Sequence, residues 1–247
     1  MNEVTDLPDY TKQHYIWLNA DYLTQIRNLP WWVRYSPRRI IYMDDFEGEL
    51  KWGSDGGSIA KGNSRMTFEA AYNLQLITGA FAGNDAGAQI IFSGEPKSKV
   101  AVQARWNFGG SGSSVPRYFD TMLFWHSGIA WYIAGVRYLK NLAGVQDKWQ
   151  YLTGAEVWTD IPGGSEVIKI PAYAHQSIYF IVDMTPAVRK YSRLVTSALD
   201  LDLSALDFVK YDGVDPAYMA VTFHCATDIN QALTCNIDAV CVSDQEP

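Results

Sequence analysis

Lys99-Val100-Ala101-Val102-Gln103-Ala104-Arg105-Trp106 puts Val100, Val102, Ala104 and Trp106 on one side of an extended chain and Lys99, Gln103 and Arg105 on the other. Side chains alternate across a strand with a period of two, so the segment reads as a strand with an apolar face on a core and a polar face toward water. Comparable runs recur from Ile40 onward, at 40–46, 66–70, 74–78, 88–92, 121–126, 130–136, 150–156, 166–170, 177–183, 191–196, 218–224 and 235–242. Gly, Asn, Asp and Pro clusters separate them, and no helical pattern alternates with them. This excludes βαβ units and predicts an all-β, two-sheet antiparallel sandwich over residues 39–247. Gly109-Gly110-Ser111-Gly112-Ser113-Ser114 reads as a loop tip; it lacks the Gly-Lys-Ser/Thr ending of a phosphate-binding loop.

The first 38 residues follow another rule. Tyr15, Leu18, Tyr22, Ile26 and Leu29 recur at steps of three and four, the spacing of one helix face, and Pro30 ends the pattern. Trp31 and Trp32 follow, then Arg34, Arg38 and Arg39. Residues 1–38 are therefore expected to form a short helical, aromatic arm whose apolar residues Tyr15, Leu18, Tyr22, Ile26, Trp31 and Trp32 need cover, on the sandwich or on a neighbouring subunit.

The composition is 48% hydrophobic with 19% charged residues, enough apolar surface for one large core. A net charge of −7 leaves no basic footprint for nucleic acid. No stretch is apolar enough for a membrane-spanning helix, and the first residues lack a signal-peptide pattern, so the expectation is synthesis in the cytoplasm and no membrane insertion. Cys225, Cys235 and Cys241 are too few, and odd in number, for a disulfide framework. They read as buried thiols, with Cys235 and Cys241 in one inward row with Ile237 and Ala239; a Cys225–Cys235 bridge is the alternative. Their spacing fits no zinc pattern, and His14, His126, His175 and His224 are scattered.

Tyr42-Met43-Asp44-Asp45-Phe46-Glu47-Gly48 with Trp52, the closing Ile237-Asp238-Ala239-Val240-Cys241-Val242-Ser243-Asp244, and the 175–183 stretch followed by Leu201-Asp202-Leu203-Ser204 resemble concanavalin A-like jelly rolls of the lectin, laminin-G and carbohydrate-binding-module type. The likeness spans about residues 40–244. It implies the fold and not an activity, because such jelly rolls host lectins, glycosidases, lyases and virion proteins. It also implies a place for a structural calcium, which carboxylates on the first and last strands can hold; the matching acids are Asp44, Asp45, Glu47 and Asp238. No other cofactor is expected.

Glu156-Val157-Trp158-Thr159-Asp160 resembles the acid-bearing strand of lectin-fold glucanases, yet Trp158 stands where that pattern has its central Asp. A regular strand would hold the two carboxylates about 13 Å apart, and the bland reading is a solvated strand face beside a turn. Trp125-His126-Ser127-Gly128 has no nucleophile elbow. Sugars stack on aromatic faces, so Trp125, Trp131, Tyr132, Trp149, Tyr151 and Trp158 are the candidate glycan-binding residues.

Three functions compete on these grounds. The leading expectation is a non-catalytic structural or interaction protein of a large assembly, a phage-like virion component such as a capsid decoration or tail protein, with its own copies or virion neighbours as partners. A carbohydrate-binding module or lectin comes next, with a glycan partner. The third is a glycosidase or polysaccharide lyase, which would need convergent carboxylates, or a Tyr/His/Arg set, on one face.

Overall fold

A computed structural model describes residues 39–44, 46, 48–62, 72–80, 84–93, 99–109, 117–140, 146–165, 176–185, 187–227 and 232–245. The helical arm expected over residues 1–38 lies outside them. Among the described residues, two antiparallel sheets of eight strands each face one another, in agreement with the all-β sandwich expected from alternation. Sheet A contains β1 (Arg39–Asp44), β3 (Ser58–Gly62), β4 (Asn73–Ile77), β6 (Lys99–Gly109), β11 (Gln176–Asp183), β12 (Lys190–Thr196), β13 (Asp200–Asp202) and β16 (Thr234–Gln245). Sheet B contains β2 (Gly53–Ser54), β5 (Asp85–Ser93), β7 (Arg117–His126), β8 (Ala130–Lys140), β9 (Lys148–Gly154), β10 (Val157–Ser165), β14 (Val209–Asp212) and β15 (Tyr218–Thr227). Sheet A runs β13-β12-β11-β6-β16-β4-β3 with β1 beside β16; sheet B runs β10-β9-β8-β7-β15-β5-β2 with β14 beside β8.

The apolar row Val100, Val102, Ala104, Trp106 and Phe108 faces inward and meets sheet B, where Trp106 stacks on Phe119 with ring centroids 4.3 Å apart. The other half of that strand's reading needs correction. Gln103 is fully buried and Arg105 is 8% exposed, so β6 is shielded on both faces. β6 lies between β11 and β16, and the outward side chains around it, Gln103, Arg105, Asn107 and Asn236, are all buried. Alternation marks which residues share a face; it does not say whether a polar face stays wet.

The cysteine row needs a second correction. A register shift between Ile237 and Ala239, a β-bulge, reverses the parity of β16. Cys235 and Ile237 point into the core, as do Val240 and Val242, while Cys241 pairs with Gln103 on the outer face. All three thiols are free and buried.

One inter-sheet strut bears directly on the site. Strand β14 and strand β9 share one edge of β8, β14 pairing up to Ile133 and β9 from Val136, which leaves the backbone of Gly135 in the gap between them. Tyr191, pointing inward from β12, fills it. Its hydroxyl accepts from the Gly135 N–H at 2.9 Å and lies 3.1 Å from the carbonyls of Gly135 and Leu152. Burial holds this phenol above its ordinary range.

Candidate functional site on the outer face of sheet B

Inward positions of sheet B include Phe119, Leu123, Val136, Tyr138, Trp149, Val221 and Phe223, so the alternate positions form the outer face. One lateral row of that face is polar across six strands. Asp160 on β10 is paired with Gln150 on β9, Gln150 with Arg137 on β8, Arg137 with Asp120 on β7, Asp120 with His224 on β15, and His224 with Gly87 on β5.

The pivot of the row is Arg137. It donates two hydrogen bonds to Asp120, Nε to Oδ1 and Nη2 to Oδ2, each 2.7 Å, and the Asp120 side chain is only 3% exposed. A bidentate guanidinium-carboxylate pair is the geometry in which a buried ion pair is held best. Burial nevertheless pushes the Asp120 carboxyl above its ordinary range, against the opposing pull of Arg137. The guanidinium also lies 3.8 Å from the ring centroid of Tyr118 and 4.1 Å from that of Trp158, so two aromatic faces sandwich a cation.

Trp158 owes its place to its neighbours. It comes from β10, an edge strand of mostly exposed residues. A Cβ on Gly135 would stand 3.1 Å from the indole Cη2 and 3.1 Å from Met122 Cγ, so the ring rests where glycine leaves room. Tyr191 holds that glycine from beneath, and the indole stays half-buried. Beside it, Asp160 accepts from Lys148 Nζ at 2.8 Å and from Gln150 Nε2 at 2.7 Å, which lowers its carboxyl from the ordinary value.

At the other end of the row, His224 Nε2 is 3.0 Å from Asp55 Oδ2 and Nδ1 is 3.8 Å from Asp85 Oδ2. A Cβ at Gly87 would lie 2.4 Å from the His224 ring and 2.2 Å from the Asp55 carbonyl, so only glycine lets the imidazole lie across β5. Alternation alone could not reveal this row, because it joins residues as far apart in the chain as Gly87 and His224. The signal present was only that Asp120, Arg137 and His224 interrupt otherwise apolar strands.

The six aromatic candidates divide. Trp125 and Trp149 are fully buried, and Tyr132 is 8% exposed and stacks on Trp125 at 4.9 Å. Tyr151 packs against the core and meets Tyr191 edge-on. These four fall on inward positions, so the structure corrects their assignment as sugar-stacking faces. Trp131 is outward and half-buried against His126 and Tyr218 at one end of the sheet, and Trp158 belongs to the polar row. Sequence reasoning missed Asp120, Arg137, Tyr118 and His224.

The glucanase-like pair does not form as a strand pair. Glu156 sits in the turn between β9 and β10 with φ 56°, and Asp160 is tied to Lys148. His126 is structural: the Gly128 N–H donates to its Nδ1, which leaves Nε2–H to donate to the Gly213 carbonyl. Of the calcium candidates, Asp45 and Glu47 lie outside the described residues. Asp44 accepts from the Tyr42 hydroxyl, the Phe46 N–H and the Trp52 indole. Asp44 pairs with inward-facing Val240, and Asp238 lies at the β16 bulge near Arg105. Among the described residues no three His, Cys, Asp or Glu side chains gather as a metal site.

No known protein family matches this sequence. No curated protein matches it either. Solved structures match its shape. The carbohydrate recognition domain of Emp47p superposes with a TM-score of 0.52 at 7% identity, covering 84% of this chain and 97% of that one. This chain has the fold of a lectin-type, concanavalin A-like jelly roll. A glycoside hydrolase family 16 endo-glucanase from Bacteroides ovatus (TM-score 0.42, 10% identity, covering 82% of this chain and all of that one) is also similar. So is a carbohydrate esterase of the Shiga toxin-encoding bacteriophage phi24B (TM-score 0.46, 11% identity, 79% and 90% covered). The expectation of a non-catalytic chain is therefore withdrawn. Enzymes stand beside lectins among the structures of similar shape, and a likeness at this identity extends to the fold and assigns neither role.

Proposed function

We propose that the outer face of sheet B binds a neutral glycan, with Trp158 as its stacking platform. The observation that carries the reading is the seating of Trp158. Its indole lies on Gly135 and the Arg137 guanidinium, half-buried, beside the hydrogen-bonding groups of Lys148, Gln150 and Asp160. An aromatic plane fixed in orientation and bordered by a few polar groups is the arrangement that sugar rings need, apolar on one face and hydroxylated at the rim. Charge sets the class. Asp55, Asp85, Asp120 and Asp160 outnumber Lys148 and Arg137 along the row, and the whole chain carries −7, so a polyuronate meets repulsion that a neutral polymer does not. The test is affinity electrophoresis and tryptophan-fluorescence titration of the full chain against neutral glucans, galactans and mannans and against polyuronates. Binding to a neutral polymer that Trp158→Ala abolishes is expected. No binding to any neutral polymer, or binding that Trp158→Ala leaves unchanged, overturns the reading.

A second reading, a structural component of a virion-like assembly, is favoured by one surface feature. Ile129 is 75% exposed and Val214 is 86% exposed, and the Gly213 N–H bond to the Ile129 carbonyl sets these loop tips side by side at one end of the sandwich. Apolar tips of this kind suit docking to a protein neighbour. Light scattering of Ile129→Ser/Val214→Ser and of a chain lacking residues 1–38 tests it. Unchanged assembly in both variants removes it.

A further inference from the structure

Strands β15 and β16 follow one another in the chain but belong to opposite sheets, and each sends one cysteine into the core: Cys225 from sheet B and Cys235 from sheet A. Both are fully buried. Cys225 Sγ lies 3.9 Å from the carbonyl oxygen of Leu76, the residue that pairs with Cys235 across β4 and β16. Cys225 lies near enough to Cys235 to add to burial in raising the Cys235 thiol. The residue paired with Cys225 on β5 is Ala86, small and fully buried, and β4 and β5 approach one another across the sheets at this edge. The third thiol is directed away: the bulge turns Cys241 to the outer face of sheet A, beside Gln103.

We propose that Cys225 and Cys235 are a disulfide site, closed across the two sheets when the chain folds in the presence of a small-molecule disulfide, with Cys241 left as a thiol. The chemistry is two exchange steps. One cysteine thiolate attacks a sulfur of the small disulfide, forming a mixed disulfide and expelling one thiolate. The second cysteine, its proton given up to solvent, attacks the protein sulfur of the mixed disulfide and expels the second thiolate. Two protein thiols are oxidised, one small disulfide is reduced to two thiols, and the protein's two protons end on the leaving thiolates.

Timing follows from burial. In the closed sandwich, burial holds the Cys235 thiol well above its ordinary range, and neither sulfur is reachable. The bridge therefore forms before the sheets close and afterwards resists reductants, so the state of this pair records the redox conditions in which the chain folded.

The test refolds the full chain from denaturant by dilution into a glutathione/glutathione-disulfide buffer and, in parallel, into dithiothreitol. Both products are then alkylated under denaturing conditions, weighed intact and mapped by peptide. The oxidised product is expected to take one alkyl group, on Cys241, where the reduced product takes three, given the three cysteines. Its thermal midpoint should rise by about 5–10 °C, the scale of a bridge closing a short loop in a domain of this size. Cys241→Ser should keep the bridge, and Cys225→Ser should lose it. Three alkyl groups on the oxidised product, a bridge that includes Cys241, or an oxidised chain without the native tryptophan fluorescence of the reduced one would each overturn the proposal.

Discussion

Each sheet carries a lateral polar row on its outer face, and the two rows are built on opposite principles. On sheet A the row is an amide ladder: Gln75 Nε2 donates to Asn236 Oδ1 at 3.0 Å, and Asn236 Nδ2 donates to Asn107 Oδ1 at 3.0 Å. Asn236 and Asn107 are buried, and further along β6 the side-chain amide of Gln103 has no hydrogen-bond partner among the described residues. On sheet B the row is ionic and aromatic, and only its centre is buried; Trp158 is half-buried and the Asp160 side chain is 58% exposed. Neutral amides can satisfy one another out of water without the large desolvation cost of charge, so they suit a closed face. An ion pair sandwiched by aromatic rings can hold a platform rigid at the edge of solvent, which suits a binding face.

The comparison can be broken at its strongest point first. Arg137→Met leaves the Asp120 carboxylate buried without its cation, and the expected loss is about 3–5 kcal/mol in urea unfolding. Most of that loss should be recovered in Arg137→Met/Asp120→Asn, because the uncompensated charge is then gone. Lowering the pH should narrow the gap between Arg137→Met and wild type. With its folded value raised by burial, Asp120 destabilises progressively as pH climbs from the ordinary carboxyl value through the raised one, and this cost is absent once it is protonated.

On the closed face, Asn236→Ala removes the bonds to Gln75 and Asn107 in a buried setting, and about 1–3 kcal/mol of stability should be lost with glycan affinity unchanged. Tyr191→Phe sharpens the contrast from inside. It orphans the Gly135 N–H, costs a similar ~1–3 kcal/mol, and should also weaken glycan binding because Trp158 rests on that glycine. Trp158→Ala is expected to do the reverse of Asn236→Ala: a tenfold or greater loss of glycan affinity, about 1.4 kcal/mol in binding, with little change in the unfolding midpoint. The smallest effect belongs to Asp160→Asn. Its lowered carboxyl contributes stability above the ordinary carboxyl value and loses it as pH falls through the lower folded value. The group is exposed, so the difference from wild type near neutrality should be about 0.5 kcal/mol or less.

Alternation in the sequence was enough for the sandwich, the strand β6 and the inward row Val100 to Trp106, because period two is a property of each strand alone. The short opening and closing motifs were enough for the lectin-like jelly roll. It was not enough to sort Trp125 and Trp149, which are core, from Trp158, which is not, since an aromatic residue suits both places and only the opposing sheet decides. Nor could it place Cys241, because one extra residue at the β16 bulge inverts every later side chain. The polar row of sheet B was the least legible part. Asp160, Gln150, Arg137, Asp120, His224 and Gly87 come from six strands, and their union is a fact of register between strands. Local patterning sets which way each residue faces. Only the tertiary pairing sets which residues it faces beside, and the chemistry of the face depends on that second choice.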